Sequence, residues 1–177
     1  QSCISGSRLL VHRDVIDDFT DRFVEVVKKA RVGDPHDPKT QIGPMANRPQ
    51  YERVLQCIAD AESAGHRLLL DGRSSCRDIG YYIGPTIFSN VPNDSDLAQH
   101  EVFGPVVSTE PWDTEAEVIR TANATVYGLA AGVWSGDVAR AMRMAEKIEA
   151  GTVYINNYFN AAAQSPVGGF KQSGYGR

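Results

Sequence analysis

Three cysteines in 177 residues, at positions 3, 57 and 76, are too few and too oddly numbered for a disulfide frame. Their separations of 54 and 19 residues do not match the paired ligands of a zinc site. The set suits a reducing compartment, so a cytoplasmic location is the expectation. No apolar run approaches the roughly 18 residues that cross a bilayer. The opening residues do not read as a signal peptide, so neither secretion nor a membrane partner is expected. Positive charge is not in excess: 18 Lys and Arg against 22 Asp and Glu give a net charge of −4. No basic face is announced, which argues against nucleic acid as a partner. Repeats and low-complexity tracts are missing. So are the GxGxxG turn after a strand and the GxxxxGK[ST] phosphate loop. His12, His36, His66 and His100 have no partners at metal-ligand spacing.

What is present is an ordinary globular composition, 42% hydrophobic and 23% charged. The length fits one domain with its own core. Gln1-Ser2-Cys3 at one end and the glycine-rich stretch to Arg177 at the other suggest a piece of something longer. Short apolar runs predict strands at Leu9–Val11, Leu68–Leu70, Thr86–Val91, Val106–Thr109, Leu129–Trp134 and Thr152–Ile155. Between them, steps of three and four predict helices. Val15, Phe19, Phe23, Val27 and Ala30 draw one stripe, with Lys28, Lys29 and Arg31 in the last turn and Gly33 as the stop. A second helix runs from Arg48 to Ala64 with Val54, Leu55, Ile58 and Ala61 inward. Thr114 and Glu117 have capping-box spacing for a third. Asp137 caps a fourth, with Val138, Ala141, Met142, Ala145 and Ile148 inward. The tail from Asn156 to Arg177 has no periodicity. Strands alternating with helix-length crossovers predict an α/β fold, an open and mostly parallel sheet with helices on both faces.

Two segments carry candidate chemistry. Cys3 stands before Ser5-Gly6-Ser7-Arg8, a small polar run that a substrate could approach closely. A thiolate there could attack carbon, given nearby positive charge or oriented N–H groups; equally, it could be a quiet cysteine near a chain end. Glu101-Val102-Phe103-Gly104-Pro105 sets an acid and an aromatic in a turn before a strand. A carboxylate can take both hydroxyls of a ribose and a ring face can support a flat ring, or the segment is a turn with a buried Phe. Cys57 reads as a core or boundary residue and Cys76 as an exposed, incidental one. Tyr154, Tyr158 and Phe159 cluster at the last strand, as channel lining or as core.

Taken together and in order, several motifs resemble one family. They are Gln1-Ser2-Cys3 with Ser7-Arg8, Gly43-Pro44-Met45, Glu101 to Val106, Asn123 with Tyr127 to Val133, Gly151 to Asn156, and Ser165-Pro166 with Gly168 to Gly174. The sequence resembles the carboxyl-terminal half of an NAD(P)-dependent aldehyde dehydrogenase, and the likeness runs the whole chain. The resemblance implies that residues 1–177 are a catalytic, nucleophile-bearing domain. It implies that Cys3 is the nucleophile, attacking an aldehyde to give a thiohemiacetal and then a thioester that water releases as the acid. Glu101 falls on the residue that binds the nicotinamide ribose and Phe103 on the aromatic near the nicotinamide. Asn156 matches an asparagine that orders the substrate channel. Ile4, Tyr158, Phe159, Ala161 and Val167 fall in channel-lining stretches.

In the family, the oxyanion asparagine, the general-base glutamate and the dinucleotide-binding domain precede the nucleophile, and the subunit-joining strand follows the last motif; none is in this chain. The expected partners are therefore an aldehyde, NAD or NADP bound mostly by the absent domain, and the missing amino-terminal part of an enzyme that forms homo-oligomers. Gln99-His100 stand where many relatives carry a second acid, and Ala161 and Val167 where many carry aromatics, which implies a roomier or differently shaped channel. The isolated chain is expected to be inactive. The rival readings are a cysteine-dependent ester hydrolase, which needs a histidine base, and a non-catalytic folded fragment. An acyl-CoA-forming relative does not separate from the first reading on these residues.

Overall fold

A computed structural model describes residues 1–160, 162 and 164–176. The chain gathers into two compact units. The first holds Gln1 and Ser7–Pro111; the second holds Ser2–Gly6 and the chain from Trp112 onward.

The first unit is built on a four-stranded sheet in the order β1-β4-β3-β2, from β1 (Arg8–His12), β2 (Arg67–Leu70), β3 (Thr86–Ser89) and β4 (Val106–Trp112). β3 and β4 are parallel, with Thr86 opposite Val106. β2 runs antiparallel to β3, so the sheet is mixed rather than mostly parallel. The reason lies in the connection. A 3-10 turn at Gly72–Ser75 and a loop, with no helix, join β2 to β3, and a parallel pair needs a longer crossover. The core lies under α2 (Arg48–Ser63), whose Val54, Ile58 and Ala61 are buried against Phe88, Val91 and Val102. Asn47 starts this helix by accepting a hydrogen bond from the Gln50 N–H. A four-residue helix, α3 (Asp96–Gln99), was not expected from the sequence; Ser95 caps it. Cys57 and Cys76 both pack on the core. Cys76 is thus half-buried, not exposed, because the loop after the 3-10 turn folds onto Tyr51.

α1 (Ile16–Val27) departs from its expected stripe. Ile16 and Thr20 are its buried residues, while Val15 is 53% and Phe19 36% exposed. Phe19 stacks on Phe23 at 5.7 Å, and Phe23, Val26 and Val27 line an apolar groove of about 540 Å³ with Ile42, Ile87 and Val107. The helix ends at Val27, so Lys28 caps it and Lys29 and Arg31 lie beyond it.

The second unit carries a parallel pair, β5 (Ala130–Val133) and β6 (Thr152–Ile155), joined through α5 (Val138–Lys147). α4 (Glu115–Asn123) precedes them and begins with the full capping box, Thr114 and Glu117 each satisfying the other's N–H. Asp137 caps α5 through the Arg140 N–H. Ala141 and Met144 are the buried face of α5; Val138 and Met142, expected inward, are 64% and 48% exposed. The α/β class expected from the sequence is the class observed, with the described strands in two sheets rather than one.

Candidate active site

Cys3 sits on a turn closed by the Ser5 N–H donating to the Ser2 carbonyl at 3.0 Å. Its thiol is exposed and forms no disulfide. The turn belongs to the second unit, so the candidate nucleophile gathers with β5, β6 and the residues after them. Gln1 belongs instead to the first unit, where its side-chain carbonyl accepts from the Ala46 N–H at 3.1 Å. Ile4 is half-buried on the same turn as Cys3.

Asn156 follows β6 with a left-handed backbone, φ 50°. Its side-chain carbonyl accepts from the Ser135 N–H at 2.9 Å and its amide donates to the Ser135 carbonyl at 3.0 Å. The paired bonds tie the end of β6 to the end of β5. Asn156 therefore orders the segment after β6 by fixing where it departs. Tyr158 turns back over β5, where a Cβ on Gly132 would stand 2.8 Å from its ring. It packs on Tyr154 at 4.9 Å, Phe159 at 5.1 Å and Trp134 at 5.9 Å between ring centroids. Burial, and then the neighbouring Tyr154, pushes the Tyr158 phenol above its ordinary range. Phe159 and Val167 are 58% and 71% exposed. Ala161 lies outside the described residues.

Glu101 and Phe103 lie in the first unit. The backbone between them is held from α2: Arg53 donates to the carbonyls of Glu101 and Val102 at 2.6 and 3.0 Å. Gln50 donates to those of Val102 and Phe103 at 2.9 and 3.0 Å. Gly104 lets α2 come close, since a Cβ there would stand 2.7 Å from a Val54 methyl. Val102 enters the core between a half-exposed Glu101 and an exposed Phe103. Phe103 takes φ 56°, an uncommon conformation for a bulky residue, and leaves its ring 37% exposed. Among the described residues, the Glu101 carboxylate makes no hydrogen bond or ion pair. A carboxylate and an exposed ring on one clamped backbone are groups that could hold a ribose and a flat ring.

His12, His36 and His100 pair with Asp14, Asp34 and Asp96 on their own turns. No group of His, Cys, Asp and Glu among the described residues could hold a metal ion.

The family model for the aldehyde dehydrogenase family matches residues 1–177. The chain belongs to the aldehyde dehydrogenase family. A betaine aldehyde dehydrogenase of Brucella anthropi is 44% identical over 180 residues, taking in 100% of this chain and 37% of the relative. The Homo sapiens 4-trimethylaminobutyraldehyde dehydrogenase is 40% identical over 183 residues, again 100% of this chain and 37% of its own length. Among solved structures, an NAD+ complex of a Mycobacterium tuberculosis aldehyde dehydrogenase superposes with TM-score 0.95 at 40% identity, covering 100% of this chain and 37% of that one. A Staphylococcus aureus betaine aldehyde dehydrogenase, solved with NAD+ and a BME-modified cysteine, gives TM-score 0.96 at 37% identity over 99% of this chain and 36% of its own. The chain thus spans a little over a third of its relatives' length, less than the half expected from the motifs.

Three features escaped the sequence reading. Trp134 joins the aromatic group, Ser135 anchors Asn156, and Lys171 ties down the tail. Each pairs residues far apart in sequence, 21 positions for Asn156 and Ser135 and 48 for Lys171 and Asn123. Only the glycine ahead of Trp134 hinted at a close approach.

Proposed function

We propose that this chain is the nucleophile-bearing piece of an enzyme that oxidises an aldehyde to a carboxylic acid. The observation that carries this reading is the exposed Cys3 turn gathered into one compact unit with β6 and the Asn156–Val167 segment. On this reading residues 1–177 act as one catalytic region, and cytoplasmic residence accords with unpaired cysteines. No helix among the described residues is long and apolar enough to cross a membrane. The Cys3 sulfur, as thiolate, adds to the aldehyde carbon and its bonding pair moves onto oxygen. On this reading the Cys3 backbone N–H would donate to that oxygen, with a second donor from the rest of the enzyme. Asn156, Tyr158, Phe159 and Val167 shape the approach, together with Ile4 and Ala161. Glu101 and Phe103 would hold the ribose and ring of NAD or NADP, which when bound supplies a hydride acceptor. Cys3 then carries the acyl group as a thioester until water releases it. The activating base and most of the dinucleotide site belong to the rest of the enzyme, a homo-oligomer on this reading.

Trp134 and Phe159, the exposed members of the aromatic group, are rings of the kind that attract alkylammonium cations. Two relatives are named for trimethylammonium-bearing aldehydes, and that substrate class is part of the proposal.

The test is Cys3→Ser in the full-length enzyme that contains this sequence. Aldehyde-dependent NAD(P)H formation should vanish while folding is retained, and persistence of turnover would overturn the assignment. The purified 177-residue chain should form no NADH from any aldehyde. Ester turnover by the chain without cofactor would favour the hydrolase, and an unreactive Cys3 in a folded chain would favour the non-catalytic fragment.

A further inference from the structure

After β6 the chain leaves at the carboxyl ends of the strand pair, where Asn156 is fastened to Ser135. It comes to rest at their amino ends. There the Phe170 N–H donates to the Gly128 carbonyl at 2.8 Å, the Gln172 N–H to that of Val126 at 3.0 Å, and the Gly128 N–H to the Ser173 hydroxyl at 2.9 Å. A Cβ on Gly151 would stand 1.6 Å from the Gly168 carbonyl oxygen, so the returning chain lies flush on the entry to β6. The chain that joins these two fastened ends, here the strap, carries Tyr158, Phe159 and Val167. A four-residue strand is about 13 Å long at about 3.3 Å per residue. Thirteen residues can extend to about 45 Å. The strap has roughly three times the chain it needs, so its fastenings, and not its length, decide where its side chains stand.

We infer that Lys171 is a positioning residue that fixes the far end of this strap and thereby the fit of the aldehyde. Its ammonium donates to the Asn123 carbonyl at 2.5 Å and pairs with the Glu149 carboxylate at 2.8 Å. Its side chain is 25% exposed and its backbone is left-handed, φ 53°. Asn123 is itself a junction: its amide donates to the Lys147 carbonyl at 2.8 Å and its carbonyl oxygen accepts from the Glu149 N–H at 2.9 Å. Lys171 thus locks the strap to the ends of α4 and α5 at once. A carbonyl and a carboxylate on one side chain demand a multivalent cation donor. Arginine can meet that demand and methionine cannot.

This inference rests on the reading of the strap as substrate channel, and its test separates the two. Lys171→Met and Lys171→Arg are made in the full-length enzyme and compared by hydrogen exchange and by steady-state kinetics. In Lys171→Met, exchange in the 157–172 peptides should rise by about tenfold or more while β5 and β6 peptides keep their protection. The KM for aldehyde should rise by about tenfold, with kcat within about twofold and the KM for NAD(P) unchanged. Lys171→Arg should restore both. Unchanged exchange in the strap would overturn the anchoring. Faster exchange with kcat falling and aldehyde KM constant would reduce Lys171 to a purely structural residue and overturn the positioning role. A wild-type enzyme without aldehyde oxidation would instead overturn the proposed function, the exchange result standing apart from it.

Discussion

Gly151→Ala should release the tail of the second unit without unfolding it. The added Cβ would stand 1.6 Å from the Gly168 carbonyl oxygen and 3.3 Å from the Gly169 Cα, both backbone, so no side chain can rotate out of the way. Relief to a tolerable 3.0 Å needs a shift of about 1.4 Å. The Phe170 N–H to Gly128 bond, now 2.8 Å, would lengthen beyond 3.5 Å if the tail moved by that amount. Among the described residues this landing includes four hydrogen bonds, those from Phe170, Gln172 and Lys171 and that from Gly128 to Ser173, beside the Lys171–Glu149 pair. At a net 0.5–1.5 kcal/mol each, their loss is worth about 2–6 kcal/mol, and overpacking in place costs about 1–3 kcal/mol. The cheaper outcome bounds the cost, so the landing should weaken by about 1–3 kcal/mol. Exchange at the Phe170 and Gln172 amides should then rise by roughly 5- to 150-fold. Gly136→Ala is the control, because a Cβ there meets nothing within 4 Å. Equal exchange in the two variants would refute the reasoning.

In the first unit, Phe88 is fully buried, so Phe88→Ala should cost about 3–5 kcal/mol by urea unfolding; a loss under about 1 kcal/mol would mean the site collapses around the cavity. Hydrogen bonding from Arg73 holds the Asp71 carboxyl below its ordinary range. A depressed carboxyl adds stability that is complete above its unfolded pKa of about 3.9 and is lost as pH falls through the folded value. The urea-midpoint gap between wild type and Asp71→Asn should therefore be full at pH 6 and close toward pH 2; a gap constant with pH would sink this. Burial pushes the Cys57 thiol up, which withholds its thiolate. Timed alkylation near neutral pH should label exposed Cys3 before Cys57, and the reverse order, read by peptide mass, would contradict the burial of Cys57.

Much of the fold could be read locally. Thr114 with Glu117 and Asp137 at its helix start are caps, and caps are set by neighbours three residues apart. The turn from Glu101 to Gly104 was visible in its Gly-Pro pair, but the side Phe103 faces was not, and its ring stands 37% exposed. The tail looked featureless because its order comes from single bonds to distant residues, and no periodicity encodes Lys171 meeting Asn123. The stripes of α1 and α5 were misjudged for another reason. α2 is apolar on one face, and that face is the buried one. α1 and α5 are sharply amphipathic too, yet this chain buries Ile16 and Ala141 while leaving Phe19, Val138 and Met142 out.

A chain spanning a little over a third of its relatives' length offers a reason for that pattern. If the remaining length of the enzyme covers part of this surface, selection on the whole molecule places apolar residues where this chain alone has nothing to set against them. The periodicity of α1 and α5 then reports burial in the whole enzyme, and solvent exposure in the piece marks where the rest would be needed. Phe19, Phe23 and Val26 beside the groove on the first unit, and Trp134, Val138 and Met142 on the second, are the residues that argument singles out.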